Sequence, residues 1–125
     1  MAHILIVDDS PTDVHVFSTM LEKHGFETTS AGSAEEGITK AHEEHPDLIL
    51  MDVIMPGMNG FQATRSLSRD ADTCAIPVII VSTKTMETDR VWGLRQGAKD
   101  YITKPVSERV LVAKINEQLE AARNA

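Results

Sequence analysis

Residues 3–13 read His3-Ile4-Leu5-Ile6-Val7-Asp8-Asp9-Ser10-Pro11-Thr12-Asp13. An apolar run ends abruptly at two acids, and a helix start follows at once. Ser10 can cap the first turn, Pro11 fits inside it, and Asp13 complements the positive end of the helix. Val14, Phe17 and Leu21 then fall at i, i+3 and i+7 and give that helix one apolar face. Gly25 ends it. A strand whose residues are all apolar, without polar alternation, is covered on both sides, which is the habit of parallel sheets packed between helices. This stretch therefore predicts one β-α unit of an α/β domain.

The pattern recurs along the chain. Residues 26–31 form a second, less apolar strand. Ser33-Ala34-Glu35-Glu36 has the form of a capping box and opens a second helix that runs to about His45, where Pro46 stops it. Leu48–Met51 is a third strand, ending at Asp52. A loop rich in proline and glycine (Met55-Pro56-Gly57-Met58-Asn59-Gly60) leads to a third helix from about Phe61 to Asp70. Pro77–Val81 is the fourth strand. A fourth helix covers about Met86–Gln96, with Gly97 behind it. Tyr101–Thr103 is a short fifth strand, followed by Lys104 and Pro105. Ser107 caps the last helix, with Val106 and Leu111 spaced as a hydrophobic staple and Leu111, Ile115 and Leu119 as its buried stripe. Five β-α units in strict alternation predict a five-stranded, doubly wound parallel sheet.

Composition bounds the function. The 125 residues make one domain's worth, are 42% hydrophobic and 25% charged, and carry a net charge of −7. We read residues 1–125 as a single domain, with no linker or repeat. An acidic chain without a basic run is a poor ligand for nucleic acid. No apolar stretch approaches the roughly 20 residues needed to span a bilayer, and no signal peptide is expected. The single cysteine, Cys74, cannot make an internal disulfide, and the chain reads as cytoplasmic.

In an open α/β sheet, ligands bind outside the carboxyl ends of the strands, at the point where strand order reverses. Asp8 and Asp9 follow the first strand, Asp52 the third, Ser82 and Thr83 the fourth, and Lys104 the fifth. Clustered carboxylates repel one another by roughly 4 kcal/mol per pair at 4 Å and an effective dielectric of 20. A hard divalent cation relieves this, and Mg²⁺ suits an all-oxygen donor set. A carboxylate beside such a cation, an ammonium and a hydroxyl is equipped to receive a phosphoryl group.

The segments LIVDDS, LILMDVIMPGMNG, PVIIVST and DYITKP, in this order and spacing, resemble the bacterial response-regulator receiver domain, a flavodoxin- or CheY-like (βα)₅ fold. The resemblance covers essentially the whole chain. MLEKHGF, MNGFQATR and TDRVWGLRQGAKDYITKPV further resemble the regulators of pilus twitching motility within that family. The resemblance implies that Asp52 is the phosphoacceptor. Asp9 and Asp52 become side-chain ligands of Mg²⁺, with the Ile54 carbonyl as a third ligand and Asp8 acting through water. Lys104 pairs with the phosphoryl group, Ser82 is the switch hydroxyl, and Tyr101 is the aromatic that changes rotamer. The Lys104–Pro105 bond is expected to be cis. The implied partners are a sensor histidine kinase or its phosphotransfer domain, and a downstream protein docked on the face of helix four, strand five and helix five. A monomer is expected, with no nucleic acid bound and no membrane insertion.

Thr83 departs from the common pattern, which has a small residue after the switch hydroxyl; taking Thr83 itself as that hydroxyl breaks the spacing. Ile54 and Lys84 flank the site. Trp92 is either a packing residue or part of an output face with Tyr101 and the last helix. His42 and His45 have no third metal ligand nearby and read as solvated or cap-related. His3, His15 and His24 have no evident partners, and Cys74 reads as an inert loop residue. Three rival functions share features with this chain. An Asp-nucleophile phosphohydrolase would need a general acid near position 54, where isoleucine stands. A phosphorylation-independent binding module would be expected to lose acids or lysine that are present here. A flavin-binding domain would need Ser/Thr- and Gly-rich phosphate loops.

Overall fold

The computed structural model describes residues 1–124; Ala125, the last residue of the expected domain, lies outside them. The elements alternate as β1 (His3–Val7), α1 (Pro11–Lys23), β2 (Glu27–Ala31), α2 (Ala34–Glu44), β3 (Leu48–Met51), α3 (Gly60–Arg69), β4 (Val78–Ser82), α4 (Glu87–Arg95), β5 (Asp100–Thr103) and α5 (Glu108–Arg123). All four strand pairings are parallel, in the order β2-β1-β3-β4-β5. The expected doubly wound sheet is what the chain forms.

The two sides of the strands explain the apolar runs. Ile4 and Ile6 of β1, Leu48 and Leu50 of β3 and Ile79 and Val81 of β4 pack with Phe17 and Leu21 of α1 and Leu111 and Ile115 of α5. The alternate residues Leu5, Val7, Ile49 and Met51 pack with Ala34 and Ala41 of α2 and Ala63 and Leu67 of α3. A third cluster (Val53, Phe61, Ile80, Ala98, Tyr101) seats the α4–β5 side. Both faces are covered, so period-two alternation is absent where the sheet is deepest. β2 is an edge strand, and its sequence Glu-Thr-Thr-Ser-Ala is correspondingly polar.

Local signals behave as their chemistry dictates, with small departures. Ser10, Ser33 and Ser107 each accept a hydrogen bond from the backbone three residues on. The capping box expected at Ser33 is only half made: Ser33 accepts from the Glu36 amide, but the Glu36 carboxylate takes the Gly32 amide instead. A complete box stands at Asn59 and Gln62, opening α3. The third helix starts one residue earlier than expected, at Gly60, and β4 extends through Ser82. The Lys104–Pro105 bond is cis.

Two histidines read as partnerless do have partners. His3 Nε2 lies 2.8 Å from Thr29 Oγ1, and His24 Nε2 lies 3.0 Å from Glu108. His45 is the left-handed C-cap of α2, while His42 Nδ1 sits 2.7 Å from Asp72. Cys74 is exposed in the α3–β4 loop.

Candidate functional site: an acidic pocket at the switch point of the sheet

Strand order reverses between β1 and β3, and Asp8 and Asp52 follow those two strands. Their backbones prolong the sheet ladder by one rung. Asp8 N–H donates to the Ala31 carbonyl at 3.0 Å, Asp52 N–H to the Val7 carbonyl at 2.9 Å, and Lys104 N–H to the Ser82 carbonyl at 2.8 Å. The site residues are therefore held by the same bonds that build the sheet, which makes their placement rigid.

Oxygens of Asp8, Asp9 and Asp52 lie within 4.8 Å of one another, the one such group among the described residues. Asp8 and Asp52 are buried and Asp9 is exposed. The Asp8 carboxylate accepts the Ser10 amide at 2.9 Å, which anchors it at the turn into α1. The Lys104 ammonium lies 2.9 Å from Asp8, 2.8 Å from Asp13 and 3.4 Å from Asp52. It also stands 5.9 Å from the centre of the Phe17 ring.

Charge bookkeeping explains the protonation behaviour. Burial pushes the Asp52 carboxyl up to about 6, and the neighbouring Asp8 charge pushes the same way; Lys104 offsets only part of this. For Lys104, burial disfavours its charge, but the bonds from Asp13 and Asp8 outweigh it and hold the ammonium above its ordinary value. Three carboxylates stand around the one ammonium and Asp9 adjoins two of them, so acids outnumber the cation in the pocket. An all-carboxylate donor set at this spacing fits a hard cation such as Mg²⁺ and lacks the soft donors of zinc or copper sites.

The remaining predicted residues fall around this pocket. Ser82 is fully buried at the end of β4, and its Oγ accepts the Lys84 amide at 3.1 Å. Tyr101 is buried, donates from its hydroxyl to the Lys84 carbonyl at 2.8 Å, and has its pKa pushed up by burial. Thr83 and the Ile54 side chain are exposed at the rim. Trp92 is half-exposed and lines a groove with Phe61, Arg65 and Gln96, on the α3 side of α4. It also lines a second groove with Glu87, Val91 and Arg95 along the outer side of α4.

Sequence reasoning missed Asp13 as a site residue and read it only as a favourable charge at a helix start. Its proximity to Asp8 in the chain was the available signal. The approach of Lys104, 91 residues away, was not legible. The sequence pattern places Gly60 in the loop before α3 and gives it no further part. A Cβ there would meet the Asp52 carbonyl oxygen at 1.9 Å, so only glycine lets α3 start against the segment that carries Asp52.

Comparison with known proteins agrees with this geometry. The response regulator receiver domain profile matches residues 4–116. The chain is 59% identical over 119 residues to Protein PilH of Pseudomonas aeruginosa, covering 95% of this chain and 98% of that protein. It is 37% identical to the DNA-binding response regulator MtrA of Mycolicibacterium smegmatis, of which it spans only half. Among solved structures, it superposes with a CheY-like receiver domain protein from Methanospirillum hungatei at a TM-score of 0.92, 31% identity, and coverage of 99% of this chain and 98% of that one. Chemotaxis protein CheY4 of Vibrio cholerae gives a TM-score of 0.87 at 28% identity, over 94% and 98% of the two chains.

Proposed function

This chain belongs to the response regulator receiver family, and from that premise we propose that it is a phosphorylation switch whose acceptor is Asp52. The carrying observation is the convergence of Asp8, Asp9, Asp52 and Lys104 at the switch point of the sheet. A sensor histidine kinase, or its phosphotransfer domain, presents a phosphohistidine. An Asp52 oxygen attacks phosphorus, a P–O bond forms as the P–N bond breaks, and the imidazole leaves. Asp52 does this as the ionised carboxylate. Lys104 sits 3.4 Å from Asp52 and supplies a donor to the transferred group. The buried Ser82 hydroxyl, whose oxygen accepts the Lys84 amide, donates its own O–H to a phosphoryl oxygen.

Asp9 and Asp52, with the Ile54 carbonyl, would hold Mg²⁺, and Asp8 would act on it through water. When bound, the ion neutralises negative charge on the transferred phosphoryl group.

The new contacts bias a two-state element, the segment that joins Ser82 to Tyr101 through Lys84. The output surface is the face of α4, β5 and α5, read by a downstream protein. The likeness to Protein PilH supports a role in twitching-motility or chemosensory signalling, including that of a phosphate sink. Residues 1–125 act as one receiver domain, cytoplasmic and monomeric, which binds neither nucleic acid nor membrane and catalyses only its own phosphorylation and dephosphorylation. Among the described residues no helix is long and apolar enough to cross a membrane.

Intact-protein mass spectrometry after incubation with Mg²⁺ and acetyl phosphate tests the reading. The wild type should gain one phosphoryl group, and Asp52→Asn or added EDTA should abolish the gain. If the wild type gains none from acetyl phosphate or from a phosphorylated kinase, the phosphorylation-independent binding module becomes the better reading.

A further inference from the structure

We propose that Asp13 is a positioning residue that holds the Lys104 ammonium off Asp52 and thereby limits how fast Asp52 takes a phosphoryl group. The proposal rests on the reading of Asp52 as the acceptor.

The geometry is asymmetric. An ammonium has three N–H donors. Two of them are satisfied at short range, by Asp13 at 2.8 Å and Asp8 at 2.9 Å, while Asp52 stands farther off at 3.4 Å. The two near carboxylates differ in kind. Asp8 is buried, and its other oxygen is committed to the Ser10 amide. The Asp13 side chain is 37% exposed. Giving up Asp13 is therefore the cheaper exchange, because water can solvate the carboxylate left behind.

The placement of Asp13 is itself built in. The Ser10 hydroxyl accepts the Asp13 amide at 3.3 Å, which fixes the first turn of α1 and aims that turn at Lys104. One turn further along the same helix, Phe17 offers its ring to the ammonium. So α1 carries two groups that attract Lys104 toward the helix and away from Asp52. Asp13 also adds a negative charge to a pocket that must receive an anionic donor. In both respects it opposes phosphorylation: it occupies the lysine, and it repels the incoming group.

Asp13→Asn keeps the size of the side chain and removes its charge. Its rate of phosphorylation by acetyl phosphate with Mg²⁺ should exceed the wild-type rate by about three- to tenfold, the effect of one partly screened charge. The excess should shrink as salt is raised, because Asp13 is partly exposed. Asp13→Glu, which keeps the charge, should return the rate toward wild type. A readout independent of phosphorylation is the ¹⁵N resonance of the Lys104 ammonium in protein without donor or metal, which should move in Asp13→Asn and stay near its wild-type position in Asp13→Glu. A wild type that is phosphorylated beside an Asp13→Asn variant of equal or lower rate overturns the proposal alone, wherever the lysine resonance falls. If neither protein takes a phosphoryl group from acetyl phosphate or a phosphorylated kinase, the reading of Asp52 fails and the proposal fails with it.

Discussion

The Tyr101 hydroxyl donates to the Lys84 carbonyl at 2.8 Å across a gap of 17 residues. The amide of the same Lys84 donates to Ser82 Oγ. One peptide segment thus joins the buried Ser82 hydroxyl at the end of β4 to the buried aromatic of β5. Under the proposed switch, a shift of Ser82 toward Asp52 would reach the bond that holds Tyr101.

Removing that hydroxyl tests the link. Tyr101→Phe should lower stability by about 0.5–1.5 kcal/mol, the net worth of one hydrogen bond. Amide hydrogen exchange at Lys84 should rise, because the segment loses its tie to β5. Urea unfolding and exchange mass spectrometry read the two effects, and unchanged exchange at Lys84 would break the proposed connection.

Asp52 makes the fold weaker where it is ionised. Burial pushes its carboxyl from the ordinary 3.8 up to about 6 in the folded chain. Between those values the folded protein binds more protons than the unfolded one, so stability falls as pH rises through the window, and the full penalty is present above pH 6. Asp52→Asn lacks this term. In metal-free buffer at pH 7 the variant should be more stable by about 1–3 kcal/mol. The advantage should fade toward pH 4. Melting curves at the two pH values decide it, and a pH-independent difference would argue against the linkage.

Glycine 60 should be irreplaceable. In Gly60→Ala the new methyl meets the Asp52 carbonyl oxygen and the Val53 backbone, neither of which can move cheaply. A loss of at least about 3 kcal/mol is expected. Gly32→Ala is the control, since nothing lies within 4 Å of its added Cβ; that change should stay within about 1 kcal/mol. Equal costs at the two positions would contradict the packing argument.

Magnesium should stabilise the folded chain in proportion to its occupancy. At a free concentration 100-fold above Kd the gain is about 2.7 kcal/mol. Asp9→Asn should raise the concentration needed for the same shift in Tm, and EDTA should reverse the shift. A wild-type Tm indifferent to Mg²⁺ would remove Asp9 and Asp52 as ligands.

Much of this molecule was legible in its residues because the signals are short-ranged. Each of Asp8, Asp52 and Lys104 directly follows a strand that apolar residues announce. In a parallel sheet all strand ends of one sense lie along one edge, so neighbours in space follow from position within each unit. The serine caps, the proline stops and the apolar stripe of Leu111 and Ile115 depend only on residues a turn or two apart. The element ends were less legible: β4 runs through Ser82 because Ser82 still pairs with Thr103 in the ladder, a contact no local pattern contains.

Sequence alone determined the alternating α/β architecture and which acids, hydroxyl and lysine stand at the loop edge, because strand burial and helix capping are governed by neighbours in the chain. The tertiary structure alone decided which partners the charged groups chose. Glu36 turned to Gly32 rather than completing its cap, His24 met Glu108, His42 met Asp72, and Asp13 met Lys104. Those choices follow from the tilt and spacing of helices on a twisted sheet. Ion pairs and side-chain bonds act through space over a few ångströms, and separation along the chain carries no information about that distance.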